Sequence, residues 1–184
     1  MTYEMTGKTV VITGAGGGVG TACARRFAAA GAALVLGDVD AVRLEELSGE
    51  LAALTSVHGV ACDVSVVADV ENLVAEAVRE TGRVDVLVNT AGLWVEGPSE
   101  TMTEADWDRV VDTNLKGVWA VSTEVARHMA ERGKGGSIVN IASLLASRQS
   151  PGITAYAVSK AAVVQLTRQT ALEWARFGIR VNAI

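Results

Sequence analysis

The sequence has few of the features that mark membrane, secreted or nucleic-acid-binding proteins. Its 184 residues include two cysteines and two prolines, and the formal net charge is −5. The acidic surplus argues against nucleic acid as the main partner, because phosphate binding calls for a basic surface. No apolar run is long enough to span a membrane, and residues 1–8 lack the apolar core of a signal peptide. We therefore expect one soluble, cytoplasmic domain over residues 1–184.

Metal and thiol chemistry have little support in the sequence. Cys23 and Cys62 lack the spacing of a zinc site or a redox motif, and we expect both to be small packed residues. His58 and His128 are far apart in sequence, and no cluster of histidine, cysteine and carboxylate ligands occurs. The sequence therefore predicts no metal site.

Short runs of β-branched residues alternate with longer helical segments along the chain. Strands are predicted at residues 9–13, 33–37, 57–62, 84–88, 137–141 and 179–183. Between them, the spacing of apolar residues predicts helices, with long ones over residues 104–132 and 154–177. Nearly continuous apolar strands that alternate with helices indicate a parallel sheet covered on both faces. The sequence therefore predicts an α/β fold.

Polar residues lie at the carboxyl ends of the predicted strands. They are Thr13, Asp38, Asp63, Asn89 and Ser143. Ligands of open α/β sheets bind beyond this edge, so we expect a binding site there.

A glycine-rich turn joins the first strand to the first helix. Its spacing is Thr13-Gly14-x-x-x-Gly18-x-Gly20, which differs from the strict G-x-G-x-x-G pattern. Glycine lets the backbone approach a ligand closely, and a helix N-terminus offers free N–H groups to a pyrophosphate. The turn therefore predicts a dinucleotide site, and the alternative is a flexible turn without a ligand.

The carboxylate of Asp38 indicates which dinucleotide would bind. At the end of the second strand it would accept hydrogen bonds from ribose hydroxyls and repel a 2′-phosphate. No lysine or arginine lies between Gly14 and Gly20 to attract such a phosphate, so NAD(H) is favoured over NADP(H). The alternative is a turn or capping aspartate, although Asp40 is the better N-cap candidate. Asp63 is expected to contact adenine, with a simple turn residue as the alternative.

Tyr156 and Lys160 form a candidate proton-transfer pair. Four residues apart on a helix, they share one face, and an ammonium group beside a phenol favours the phenolate. Alone, such a pair is typical of a solvated helix face, and Ser143 alone is typical of a turn. Their occurrence together, downstream of the glycine turn, favours a catalytic site.

Together these residues resemble the short-chain dehydrogenase/reductase family. The resemblance is carried in order by the glycine turn, Asp38, Asp63-Val64, Asn89-x-Ala91-Gly92, Asn114, Ser143 and Tyr156-x-x-x-Lys160. It implies a Rossmann-type, doubly wound sheet, a nicotinamide cofactor and reversible alcohol/carbonyl oxidoreduction. Thr90 stands where the family usually has asparagine, so we expect altered hydrogen bonding in the sheet and retained catalysis.

The resemblance also assigns residues to functions. It implies a catalytic group made of Asn114, Ser143, Tyr156 and Lys160, in which Asn114 kinks its helix and holds a proton-relay water. Tyr156 would take the substrate's hydroxyl proton as hydride passes to NAD, and Ser143 would bind the substrate oxygen. The implied cofactor contacts are Thr13, Gly14, Gly16, Gly18, Val19, Gly20, Asp38, Asp63, Val64, Asn89, Ala91, Gly92, Tyr156 and Lys160.

Family members continue past the point where this sequence ends. We therefore expect the N-terminal part of a longer polypeptide, truncated after the sixth strand and lacking a C-terminal substrate-binding segment. The substrate is left open among sugar acids, acyl thioesters, steroids and polyols. The two long helices are apolar on more than one face, as in the family's four-helix interface, so we expect a homodimer or homotetramer. The alternative is burial of these helices in a large domain.

Two other functions remain as alternatives. A non-catalytic NAD-binding or regulatory protein would keep the fold and bind NADH without turnover. A non-redox Rossmann enzyme, such as a methyltransferase, would have no use for the tyrosine–lysine pair and would not bind NADH tightly.

Overall fold

The computed structural model describes residues 4–184, so the first three residues of the polar amino-terminal segment lie outside it. Its sheet is entirely parallel, in the order β3-β2-β1-β4-β5-β6. The strands are β1 (Thr9–Thr13), β2 (Ala33–Asp38), β3 (Val57–Ala61), β4 (Val86–Asn89), β5 (Gly136–Asn140) and β6 (Ile179–Ala183). The chain runs outward from β1 to β3, returns to β4 beside β1, and runs outward again. This reversal opens a crevice at the carboxyl ends of β1 and β4, and it confirms the predicted doubly wound fold.

Helices cover the sheet on both sides. They are α1 (Gly18–Ala29), α2 (Ala41–Leu51), α3 (Val67–Thr81), α4 (Glu104–Val111), α5 (Val118–Arg132) and α6 (Thr154–Trp174). Val10 and Ile12 of β1 share a core with α1 and α2, whereas Val11 shares a second core with α3 and α5. Because alternate residues of one strand are buried on opposite faces, the strand reads as a continuous apolar run. Within residues 4–184, no helix combines the length and apolarity needed to cross a bilayer.

The bounds of several elements differ from the sequence prediction, mostly by one residue. β4 begins at Val86 instead of residue 84, and the Val84 amide donates to the His128 ring (3.3 Å). The helix predicted over residues 104–132 is divided into α4 and α5 by a π-helical turn at Asp112–Gly117. Such a turn inserts extra backbone into a helix and is frequent at functional sites.

Candidate active site

The glycine turn after β1 is packed tightly against the end of β4. Gly14 has a φ of +65°, and a Cβ atom there would lie 2.6 Å from the Ala91 Cα. A Cβ on Gly20 would lie 2.2 Å from the Gly14 carbonyl oxygen. Both positions therefore require glycine, because the neighbouring backbone occupies the space of any side chain. The motif fixes the start of α1 directly beyond the sheet edge.

The amino end of α1 is suited to bind an anion. Its N-cap is Gly17, no side chain caps the first turn, and the first turn contains no acidic residue. A Cβ on Gly18 would point into open space, and Val19 is exposed. The first N–H groups of the helix are thus left for an anionic ligand, which the positive end of the helix also favours. These features fit the pyrophosphate of a dinucleotide.

Asp38 lies beside this turn, and its carboxylate oxygens can accept further hydrogen bonds. One carboxylate oxygen accepts the Gly16 amide at 2.8 Å, and the other accepts the Asp40 amide at 3.0 Å. An ionised carboxylate has about four acceptor positions, so both oxygens can also accept ribose hydroxyls. Asp40 accepts the Arg43 amide (3.1 Å) and is the N-cap of α2, as predicted.

A cavity of about 540 Å³ runs along the carboxyl edge of the sheet. Half of the predicted cofactor residues line it: Gly14, Gly16, Asp38, Asp63, Val64, Ala91 and Gly92. Thr13, Asn89 and Gly20 are instead buried, so the side chains of Thr13 and Asn89 can affect a cofactor only indirectly. The sequence alone does not distinguish the residues that line the cavity from those that are buried, since both sets lie at or just after the carboxyl ends of strands.

Asp63 and its neighbour Cys62 form the far wall of the cavity. Asp63 accepts the Ser65 amide (2.9 Å) and hydroxyl (2.7 Å) through one oxygen, so a turn-stabilising function coexists with the predicted adenine contact. Cys62 is buried, as expected for a packed cysteine. Burial, together with the Asp69, Asp63 and Asp38 carboxylates, raises the pKa of the Cys62 thiol to about 12. The thiol is therefore neutral and unreactive at physiological pH.

A buried polar network supports the site from below. The Asn89 amide donates to Ser122 and to Asn140, both at 2.9 Å, and Asn140 donates to Thr167 at 2.9 Å. These contacts connect β4 with α5, β5 and α6. Satisfied polar networks of this kind fix one arrangement of the elements that they join.

Tyr156 and Lys160 lie on the same face of α6. The Lys160 Nζ atom is 5.6 Å from the centroid of the Tyr156 ring and donates to the Ile141 carbonyl oxygen at 2.7 Å. Lys160 is 4% exposed, and burial lowers its pKa to about 8. A Cβ on Gly92 would lie 3.5 Å from this Nζ atom. The amine therefore reaches the end of the cavity that Gly92 forms.

Asn114 connects the π-helical turn to the cavity wall. Its side chain accepts the Leu93 amide and donates to the Leu93 carbonyl oxygen, both at 2.8 Å, and it also approaches the Ser159 hydroxyl (3.2 Å). Ser159 in turn donates to the Tyr156 carbonyl oxygen at 2.7 Å. The buried asparagine thus joins the segment after β4 to the first turns of α6.

Ser143 lies three residues after Asn140, where β5 ends. Its hydroxyl oxygen accepts the Leu145 amide (3.1 Å) and caps the short 3-10 helix Leu144–Ala146. This is the turn function that an isolated serine suggests, and it leaves the hydroxyl proton free to be donated. Ser143 and Tyr156 are half-buried and lie outside the lining of the cofactor cavity.

The structure adds three residues that sequence reasoning did not assign to the site. The Thr90 hydroxyl donates to the Thr13 carbonyl oxygen at 2.6 Å. Ser159 had a weak signal, since it directly precedes Lys160. Arg43 had none, because its contact with the Gly16 carbonyl oxygen (3.3 Å) joins α2 to the glycine turn, which is distant in sequence.

Comparisons with known proteins agree with this geometry. Residues 8–184 match the family model of the short chain dehydrogenases, and the chain belongs to that family. It is 45% identical over 183 residues to oxidoreductase UcpA from Salmonella typhimurium, covering 98% of this chain and 69% of that protein. It is 39% identical over 182 residues to the 3-oxoacyl-acyl-carrier-protein reductase FabG from Thermotoga maritima, covering 98% and 74%.

A solved structure of NAD⁺-bound xylitol dehydrogenase has the same fold. It superposes with a TM-score of 0.94 at 35% identity, covering 97% of this chain and 69% of that one. The predicted family is thereby confirmed. The protein is an oxidoreductase of the class that uses a nicotinamide cofactor.

Proposed function

We propose that the protein transfers a hydride between NAD(H) and a secondary alcohol or ketone, with Tyr156 as the general acid and base. The bound nicotinamide supplies the hydride acceptor or donor. The observation that carries the proposal is the buried Lys160 amine, which is 5.6 Å from the Tyr156 ring and adjacent to Gly92 of the cavity.

Lys160 places a positive charge beside the Tyr156 ring, where it would attract a phenolate formed during proton transfer. Because burial lowers the pKa of Lys160 to about 8, the ammonium is present at neutral pH and is lost as the pH rises above that value. In oxidation Tyr156 accepts the hydroxyl proton of the substrate, and in reduction it returns a proton to the carbonyl oxygen.

Ser143 and Asn114 complete the catalytic group in different ways. The Ser143 hydroxyl donates to the substrate oxygen, where negative charge develops during the reaction. The Asn114 side chain is already bonded to Leu93 and Ser159, so it positions the residues around Lys160. A relay water at the π-helical turn remains part of the proposal.

Asp38 supports NAD(H) as the preferred cofactor. Its two oxygens are held by backbone amides at the end of β2, where ribose hydroxyls would be bound. The presence of NAD⁺ in the related xylitol dehydrogenase structure is consistent with this preference. The substrate class stays open, because the relatives named above include enzymes of a polyol and of an acyl thioester.

The test combines cofactor binding with one substitution. Titration with NADH and NADPH, followed by fluorescence, is expected to show tighter NADH binding. Tyr156→Phe keeps the ring beside Lys160 but removes the proton carrier, so turnover with NAD(H) should fall about 10²–10⁴-fold while NADH affinity is retained. Near-normal turnover of this variant would exclude the mechanism. Binding without turnover by the unmodified protein, across polyols, ketones and acyl thioesters, would support the non-catalytic alternative.

We also propose that the protein forms a homodimer or homotetramer through the α4–α5 and α6 faces. Trp119 on α5 and Leu172 on α6 are 50% and 75% exposed, so both helices present a large apolar side chain that a partner would cover. Light scattering should therefore give a mass above that of one chain. Leu172→Glu should reduce this mass, whereas Val42→Glu on α2, a similarly exposed apolar position, should leave it unchanged.

A further inference from the structure

Arg43 lies next to Asp38 at the ribose end of the cavity. Its Nη1 atom is 3.3 Å from the Gly16 carbonyl oxygen, and its Nε atom is 3.5 Å from an Asp40 carboxylate oxygen. The Arg43 Cβ and an Asp38 carboxylate oxygen each lie 3.2 Å from the point where a Cβ on Gly16 would sit. A cation on α2 and an anion on β2 therefore flank the same glycine.

We propose that Arg43 is a second specificity residue of the dinucleotide site, a cation that binds the 2′-phosphate of NADP(H) while Asp38 opposes it. The inference rests on the proposed function, because it requires a nicotinamide dinucleotide in this cavity. Asp38 determines the preference for ribose hydroxyls, and Arg43 determines how far NADP(H) is excluded. A site with both residues should reject NADP(H) less strongly than Asp38 alone would.

The guanidinium of Arg43 has free donors for such a ligand. Its side chain is 62% exposed, and its contacts with Gly16 and Asp40 use two of its five N–H groups. A planar guanidinium matches the oxygens of a phosphate in pairs, which gives it an advantage over lysine. The partner Asp40 is itself 46% exposed, so water screens its ion pair with Arg43.

Asp38 does not pair with this positive charge, whose ion-pair partner is Asp40. Asp38 accepts hydrogen bonds from the Gly16 and Asp40 amides, and in the part of the chain that the structure describes no ion pair joins it to a lysine or arginine. Arg43 and Asp38 thus act on a ligand separately. Removing the carboxylate should leave the cation in place and convert the repulsion of a 2′-phosphate into attraction.

A second arginine of the cavity provides the competing explanation. Arg109 lies on α4 in the same lining as Asp112 and Thr113. Among the hydrogen bonds and ion pairs of residues 4–184, none connects Arg109 to Gly16 or Asp38. The geometry therefore favours Arg43, and the experiment includes both residues.

The test measures NADH and NADPH dissociation constants by fluorescence for Asp38→Ser, Arg43→Ala and the double variant. Asp38→Ser should bind NADPH at least about tenfold more tightly than the unmodified protein. Adding Arg43→Ala should reverse at least about tenfold of this gain, equivalent to about 1.4 kcal/mol. NADH affinity should change less than about threefold with Arg43→Ala. The NADPH affinity of Asp38→Ser should also weaken with added salt more steeply than that of the double variant.

Three control variants, each introduced into Asp38→Ser, isolate the position of the charge. Arg43→Lys keeps the charge without the planar donor pair and should retain part of the NADPH gain. Arg25→Ala removes an exposed arginine that is bound to Glu50 (2.7 Å) outside the cavity, and it should leave the gain intact. Arg109→Ala should preserve most of it.

The outcomes separate the inference from the proposed function. Equal NADPH binding by Asp38→Ser and the double variant would overturn the inference while NADH binding still supports the function. A gain that disappears with Arg109→Ala and persists with Arg43→Ala would overturn it as well. If the unmodified protein bound neither dinucleotide, the proposed function would fail and the inference would fail with it.

Discussion

Asp85 and Asp38 are carboxylates at opposite edges of the same sheet, and their surroundings differ in kind. Asp85, just before β4, accepts the Thr9 amide (3.0 Å) and contacts Arg83 (2.7 Å) and Arg132 (3.2 Å). Asp38, at the end of β2, accepts two backbone amides and, within residues 4–184, pairs with no cation. Asp85 is paired with cations of the protein itself. Asp38 accepts only backbone amides and lines the cavity, where a ligand can bind it.

The difference shows how the two edges divide stability and function. Burial alone would raise the pKa of Asp85, but the hydrogen bonds from Arg83 and Thr9 and the charge of Arg132 hold it below the usual value. The amino edge thus gains stability from its ionised carboxylate. At the carboxyl edge, closely packed glycines such as Gly14 and the Asp38 carboxylate, which pairs with no cation in residues 4–184, line a cavity.

The largest expected effect comes from exchanging aspartate for asparagine at each edge. Asp85→Asn leaves Arg83 and Arg132 facing a neutral group, so the free energy of unfolding should fall by about 2–3 kcal/mol. Asp38→Asn should change it by less than about 1 kcal/mol, because no cation of residues 4–184 pairs with Asp38, while NADH affinity falls. Urea denaturation at pH 7 measures both variants. Similar losses of stability would contradict the comparison.

The stability contribution of Asp85 should depend on pH in the acid range. Asp85 has a folded-state pKa below its unfolded value, so its contribution is present above the ordinary carboxyl pKa of ~3.9. That contribution is lost as the pH falls through the folded-state pKa. The stability difference between the unmodified protein and Asp85→Asn should therefore shrink on acidification.

Lys160 provides a third case, because it is a buried cation that pairs with no carboxylate within residues 4–184. Its pKa is lowered, so at neutral pH its buried charge opposes folding. Lys160→Met should raise the free energy of unfolding by about 1–2 kcal/mol at pH 7, after the lost hydrogen bond to Ile141 is counted. Turnover should be largely lost.

The pH dependence of this gain follows from the proton balance. Between pH 8 and the ordinary lysine pKa of ~10.4 the unfolded chain binds more protons, so the unmodified protein gains stability as the pH rises. The advantage of Lys160→Met should therefore decrease toward pH 10. A constant advantage, or a loss of stability at pH 7, would show that burial of this charge is not costly.

The smallest effect is expected at Thr90, where a neutral hydroxyl joins the two central strands at the carboxyl edge. Thr90→Val keeps the shape but removes the bond to the Thr13 carbonyl oxygen, at a cost of about 1 kcal/mol. Because the bond also holds the glycine turn, NADH affinity should fall a few-fold. Thr90→Ser keeps the hydroxyl and should behave like the unmodified protein in both measurements.

The sequence predicted the strands and the order of the site motifs because both follow local rules. Continuous apolar runs mark strands buried on both faces, and the polar residues at their ends must meet at one edge of a parallel sheet. The sequence did not distinguish Gly14, which faces the cavity, from Asn89, which is buried. That distinction depends on which neighbour each residue meets across the sheet.

The contacts of Arg43 and Asn114 could also not be predicted from the neighbouring sequence. Arg43 reaches Gly16 from α2, and Asn114 in the π-helical turn bonds to Leu93, which is also distant in sequence. Such contacts are set by the relative position of elements that are distant in sequence. Propensity and periodicity carry no information about them.

The crossover from β3 to β4 affects how the chain folds while it is being synthesised. β1 pairs with β2 on one side and with β4, which is synthesised later, on the other. During synthesis, a nascent chain that has emerged only through β3 would present β1 as an unpaired apolar edge, the kind of surface on which chains aggregate. We therefore expect productive folding to be delayed until β4 is available, and chaperone dependence to be greatest in that interval.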